Sequence, residues 1–264
     1  MKTVSETVAY FAAQARSKAD TNARNPVAFF ISSMMAGAYV GVGILLILSV
    51  GQAIDPSLRS LVMGASFGIA LTLVIFAGAE LFTGYAMYMT LGSLTGQTTL
   101  AELVRGWLST WIGNFAGAAV LAVLFIAGGG GHVLEHGASL VYDIAAYKTA
   151  SSPIALVSRG MLCNWLVCLS IWTSARTDSD SAKCILIFWC LFAFIACGFE
   201  HSVANMTIFL VVLLSGAPES ISPAAAAYNL FWVTIGNILS GVIFVGAGYW
   251  AIGKPLVRKE PVSA

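Results

Sequence analysis

The chain has 264 residues, of which 58% are hydrophobic and 9% charged, with a formal net charge of +1. Soluble domains carry about 25% charged residues, so this composition excludes an ordinary water-soluble fold. The near-neutral charge, with no long basic run, excludes a nucleic-acid-binding face. What remains is an all-α polytopic membrane protein.

Residues 1–26 lack the apolar core of a cleavable signal peptide and include Lys2, Arg16, Lys18 and Arg24. Val4, Val8, Phe11, Ala15 and Ala19 recur there at helical spacing, which predicts an amphipathic N-terminal helix lying on the membrane surface. Six spans follow, at 27–50, 60–82, 107–127, 154–175, 184–214 and 228–252, and a short tail covers 253–264. A helical span needs about 20 apolar residues, and the whole chain reads as one transmembrane channel domain.

The second span runs on past Thr83-Gly84 into Tyr85–Leu91, and the fifth contains Gly198-Phe199-Glu200-His201-Ser202-Val203-Ala204-Asn205-Met206. Both are predicted to be interrupted, at Glu80–Gly84 and at Gly198–Asn205. The polar segment 128–152 carries His132, Glu135, His136, Asp143 and Lys148 and reads as a solvated loop. Five cysteines (Cys163, Cys168, Cys184, Cys190, Cys197) all fall in apolar spans, form no Cys-x-x-Cys pair and are odd in number. They read as small buried hydrophobes, neither disulfides nor metal ligands.

With six spans both termini share a side, and that side holds 10 of the 13 Lys and Arg residues. Arg59, Lys148 and Arg159 are on the other. The positive-inside bias makes both termini cytoplasmic.

A weak duplication is visible. Gly78-Ala79-Glu80 resembles Gly198-Phe199-Glu200 at an offset of 120 (198 − 78), and Ile112-Gly113-Asn114 matches Ile235-Gly236-Asn237 at 123 (236 − 113). Each half then holds three spans, and an odd number per half forces the halves into opposite orientations. Inverted repeats with helices broken at matched places point to a transport site at the midplane, where half-helix N-termini suit an anion.

Glu200 and His201 are the only acidic, basic or imidazole side chains between Cys184 and Leu214. Such groups at bilayer depth are costly and mark solute pathways or structural pairs. Thr83 offers a hydroxyl to an anion or caps its helix. Asn164 and Asn237 are amides in apolar spans, for solute contact or helix–helix bonding.

The residues Ala36-Gly-Ala-Tyr-Val-Gly41, Glu80-Leu-Phe-Thr-Gly84, Met161-Leu-Cys-Asn-Trp-Leu-Val-Cys168, Gly198-Phe-Glu-His-Ser-Val-Ala-Asn-Met206 and Ile235-Gly-Asn237 with Tyr249-Trp250 occur in this order. Together they resemble the formate/nitrite transporter family, most closely its bacterial nitrite channel branch. The resemblance implies an aquaporin-like protomer with spans two and five broken, a homopentamer with one pore per protomer, and an inner-membrane location. It also implies that His201 sits at mid-pore facing Thr83. Phe67, Leu71, Leu81, Phe82, Val167 and Phe194 would form the constrictions. Lys148 would draw anions to the outer mouth.

The expected function is passage of nitrite, a small monovalent anion, or of its conjugate acid together with protons. His201 acts as mid-pore proton donor or anion stabiliser, because imidazole titrates nearest physiological pH. Asn164 and Asn237 are candidate pore contacts. Glu200, Glu80 and Ser202 are expected to scaffold the breaks, since a second negative charge would repel the substrate. The alternatives are a formate or hydrosulfide channel of the same family and a neutral-solute, aquaporin-like channel, although the paired Asn-Pro-Ala signature of the latter is absent. No catalytic triad, metal-ligand cluster or phosphate loop is present, so neither an enzyme nor a bound cofactor is expected.

Overall fold

The computed structural model describes residues 1–135, 139–216 and 221–253, and the regular structure among them is entirely helical. His136 and the tail from 254 onward lie outside the described residues, as do Lys254, Arg258 and Lys259 of the charge count. α1 (Val4–Arg24) starts at a capping box in which Thr3 accepts from the Glu6 N–H and Glu6 accepts from the Thr3 N–H. Its stripe of Val8, Phe11, Ala15 and Ala19 is buried. The stripe faces the protein and not a membrane surface: Phe11 stacks on Trp172 at 5.5 Å and lies 5.3 Å from Tyr88. Arg16 pairs with Glu102 at 2.7 Å.

Among the described residues, five helical runs are long and apolar enough to cross a membrane: Pro26–Ala53, Pro56–Phe76, Leu100–Ala127, Pro153–Ser174 and Pro223–Gly253. The first is α2 (Pro26–Ala53), capped by Asn25 with proline at its first turn. The second comprises a 3-10 turn, α3 (Arg59–Ser66) and α4 (Gly68–Phe76). α5 (Phe82–Leu94) and α6 (Leu100–Ala127) follow. The segment expected as a polar loop is itself helical in part, as α7 (Gly131–Leu134) and α8 (Ser139–Thr149), and Lys148 sits in the last turn of α8. α9 (Pro153–Ser174) leads to α10 (Asp180–Ala196) and α11 (Ser202–Leu214). The expected fifth span is therefore two shorter helices. α12 (Pro223–Ser240) continues through a π-helical stretch, Gly241–Ala247, into α13 (Gly248–Gly253).

Close crossings of α2 with α6 and of α9 with α12 hold the bundle together. A side chain at Gly37 would strike the backbone carbonyl of Asn114, and one at Gly236 would strike that of Val157. Gly thus allows the backbones to touch, the packing mode expected where lipid removes the hydrophobic drive. Cys163 and Cys168 are buried as expected, whereas Cys184 and Cys197 are exposed.

Both breaks are present but begin earlier than expected, at Ala77–Leu81 and Cys197–His201. Each is opened by a glycine in the left-handed region, Gly78 at φ 74° and Gly198 at φ 70°. The helix end is closed by the next N–H, from Ala79 to the Val74 carbonyl at 2.9 Å and from Phe199 to the Phe194 carbonyl at 3.0 Å. These are Schellman-type bonds, which a residue with a Cβ would strain.

Candidate functional site

The chain restarts as helix at Phe82 and Ser202 because two asparagines fix those positions. Asn114 accepts from the Phe82 N–H at 2.9 Å and donates to the carbonyls of Ser33 at 2.7 Å and Glu80 at 2.9 Å. Asn237 accepts from the Ser202 N–H at 2.9 Å and donates to the carbonyls of Gly160 at 2.9 Å and Glu200 at 3.1 Å. The partners correspond at offsets of 123 (237 − 114) and 120 (202 − 82, 200 − 80). Asn237 therefore braces a break. None of the cavities described below is lined by it. Asn164 is likewise committed, donating to the carbonyls of Thr83 at 3.2 Å and Asn237 at 2.6 Å.

The two break glutamates also match. Glu80 accepts from the Lys18 ammonium at 2.5 Å, and Glu200 accepts from Lys148 at 2.8 Å. Glu200, 1% exposed, also accepts from Asn205 at 2.6 Å; Asn205 donates to Asn229 at 2.8 Å, and Asn229 donates to the Lys148 carbonyl at 2.9 Å. The ring closes on itself, so the buried carboxylate has hydrogen-bond donors in place of water. Lys18, Asn114, Asn205 and Asn229 were not singled out from sequence as site residues. Asn114 could have been found from the repeat offset (237 − 123 = 114), whereas Lys18 lies 130 positions before Lys148 (148 − 18), outside that register. Asn205 and Asn229 carry no comparable signal.

The first turns of α5 and α11 meet between these braces. His201 is the N-cap of α11, and its Nδ1 accepts from the Ala204 N–H at 3.0 Å. A nitrogen that accepts carries no hydrogen, so the hydrogen is on Nε2. Nε2 lies 3.2 Å from Thr83 Oγ1 and donates to it. Leu81, the matched N-cap of α5, gives no side-chain cap. The first N–H groups of α5 thus have no partner within the helix, and both helices point their positive ends at the same spot.

That spot is a small chamber of about 10 Å³ lined by Val40, Phe67, Ala70, Leu71, Leu81, Val167, Leu191, Phe194 and His201. It holds about one water molecule. The Phe194 ring stacks on the imidazole at 5.9 Å and meets Phe67 edge-on at 5.4 Å. Five of the six expected constriction residues line it. Phe82 does not: its ring lines an outward apolar groove of about 640 Å³ between α6, α11 and α12.

A larger cavity lies on each side of the chamber. One of about 360 Å³ shares Phe194 and His201 with it and includes Lys148, Glu200 and Asp143. The other, about 310 Å³, includes Ile75 and Ile171, one helical turn from Leu71 and Val167 of the chamber, and opens beneath α1. Ser202, the first residue of α11, has its N–H fixed by Asn237 and its hydroxyl without a partner. The arrangement is a small apolar chamber with one imidazole in its lining, to which the buried Thr83 hydroxyl is bonded, and two larger cavities beside it.

Comparison with known proteins agrees along the length of the chain. A family profile described as formate/nitrite transporter matches residues 5–251. The nitrite transporter NirC of Salmonella typhimurium is 49% identical over 256 residues, covering 97% of this chain and 94% of that one. The formate channel FocA of Escherichia coli is 30% identical, covering 87% of each. A solved structure described as an FNT family ion channel superposes with a TM-score of 0.91 at 48% identity, over 95% of this chain and 99% of that chain. A pentameric formate channel with formate bound gives 0.73 at 28% identity, over 85% and 96%.

Proposed function

The chain belongs to the formate/nitrite transporter family, and from that premise we propose that it is a membrane channel for nitrite whose selective step is at His201 and Thr83. The family transports and does not catalyse. The observation that carries the reading is the 3.2 Å contact between His201 Nε2 and Thr83 Oγ1 at the meeting of two helix N-termini, inside an apolar plug.

A bare anion loses its hydration in such a plug at large cost. Two hydrogens, from Nε2 and the Thr83 hydroxyl, together with the two positive helix ends replace part of that hydration. Of the two roles considered for His201, the geometry supports anion stabiliser over proton donor. An imidazolium has no lone pair on Nδ1, so protonation would break the Ala204 cap. The anion held at His201 then takes its proton from a hydronium ion in the adjoining cavity water, leaving water behind, so one proton crosses with each nitrite and transport is electroneutral.

The protomer reads as six spans in two inverted halves, the fifth made of α10 and α11. The hydrogen-bond sets of Asn114 and Asn237 support this reading, as do the paired Lys18–Glu80 and Lys148–Glu200 bridges. We place it in a bacterial inner membrane as a homopentamer with both termini cytoplasmic, so that Lys148 faces outward and α1 inward. The apolar groove containing Phe82 is a suitable face for a neighbouring copy. Nitrite is preferred over formate because of the identity to the nitrite transporters. Liposome swelling with nitrite, formate and chloride tests the assignment: nitrite fastest supports it, and formate or chloride fastest overturns it.

A further inference from the structure

We propose that the cavity beneath α1 contains a second anion site, for a small monovalent oxyanion, built from the Ser174 hydroxyl and the ammonium groups of Lys2 and Lys183. This inference rests on the channel reading above and locates where the anion is held at the inner mouth.

Ser174 is 4% exposed and lines the cavity, yet its Oγ has no hydrogen-bond partner. Most hydroxyls along these helices satisfy themselves by donating to the carbonyl four residues back, as Ser33, Ser49, Ser66, Thr72, Thr90 and Thr173 do. Ser174 does not. Among the described residues it is the one orphaned buried side chain that also lines a described cavity. Ser170, one turn deeper on the same face of α9, is fully buried and also unpartnered. Buried polar atoms are rarely left unmet, and two on one face mark a route for a polar guest.

The charge around the cavity suits an anion. Lys2 Nζ donates to the Ala175 carbonyl at 2.8 Å and lies 3.9 Å from Asp178, which is 95% exposed. Lys183 pairs with Asp180 at 2.8 Å. An ammonium has three hydrogens, so both keep donors for a guest after these contacts. The collar is tied at both ends: Lys2 N–H donates to the Arg176 carbonyl at 3.3 Å, and the Arg176 side-chain Nε donates to the Lys2 carbonyl at 3.1 Å. Ile75 and Ile171 then lead inward to the chamber. An anion held by Ser174 and the lysines stands one step from the plug.

The test uses the full-length protein in inside-out and right-side-out membrane vesicles with graded nitrite. Ser174→Ala, and separately Lys2→Gln with Lys183→Gln, should raise the half-saturating concentration about three- to tenfold, the worth of one hydrogen bond, for transport starting at the α1 face only. Ser174→Thr should keep the wild-type value. No shift in either direction, or an equal shift in both, would overturn the site. Nitrite titration of purified His201→Leu protein separates this from the channel reading, whether or not the wild type passes nitrite. Binding that survives there and is lost in the His201→Leu, Ser174→Ala double variant supports the site, and absence of binding refutes it.

Discussion

Thr83 Oγ1 stands 3.2 Å from His201 Nε2, joining the first turns of α5 and α11 across the chamber. Two residues 118 positions apart are thus bonded, and of the two His201 lines the chamber while the Thr83 hydroxyl stands behind its Nε2. Removing the hydroxyl while keeping the shape isolates its part. Thr83→Val should slow nitrite flux about tenfold, the loss of one hydrogen bond to a charged group, and Thr83→Ser should retain most of it. Stopped-flow nitrite uptake into proteoliposomes reads both. Equal rates for Thr83→Val and wild type would remove the hydroxyl from the mechanism.

The Lys148–Glu200 bridge is nearly enclosed, at 13% and 1% side-chain exposure. Breaking a buried pair by removing one partner costs about 3–5 kcal/mol, because the remaining charge stays buried. Lys148→Met should therefore lower thermal stability markedly, while Lys148→Met with Glu200→Gln should recover much of it. Thermal unfolding in detergent compares the three proteins. A single variant as stable as wild type would mean that the bridge does not hold the break.

Asn114 and Asn237 predict matched losses. Each Ala variant leaves one N–H and two carbonyls without their partner, at about 1–3 kcal/mol per unsatisfied buried group. Asn114→Ala and Asn237→Ala should destabilise by similar amounts, and Asp at either position should not rescue, since a carboxylate cannot donate to the two carbonyls. Strongly unequal losses would count against treating the two breaks as structural equivalents.

Much of the architecture was legible because the membrane imposes it. Long apolar runs had to be helices, and both interruptions were visible, although the left-handed Gly78 ends its helix before the expected Glu80. His201 stood out because imidazole at that depth is expensive. The pairing of polar groups was harder to read. Asn164 and Asn237 looked equally suited to solute contact or bracing, and only their carbonyl partners decide between these. Phe82 sits beside Leu81 in sequence yet faces the outward groove, because the first turn of a helix sends neighbouring side chains in different directions. The stripe on α1 was plain, but periodicity does not distinguish a lipid surface from Tyr88 and Trp172 as its cover.

Lys18 bridges to Glu80 and lies 5.2 Å from the Tyr88 ring centroid, so α1 is tied directly to the first break. Lys18→Met should loosen that tie, giving faster proteolysis within 1–26 and lower stability. Limited proteolysis followed by mass spectrometry measures it, and an unchanged cleavage pattern would show that the bridge is dispensable for docking.

The central claim is that neutral His201 stabilises the anion through Nε2–H while capping α11 through Nδ1. The most direct measurement is simultaneous nitrite flux, current and proton uptake in proteoliposomes carrying wild type, His201→Asn or His201→Leu. Asn can cap a helix and donate a hydrogen bond, so it should retain measurable, electroneutral flux with unchanged proton coupling. Leu, the residue at the matched position 81, should abolish nitrite flux. Proton coupling lost in His201→Asn would instead identify the imidazole as the proton donor, and undiminished flux in His201→Leu would contradict the account outright.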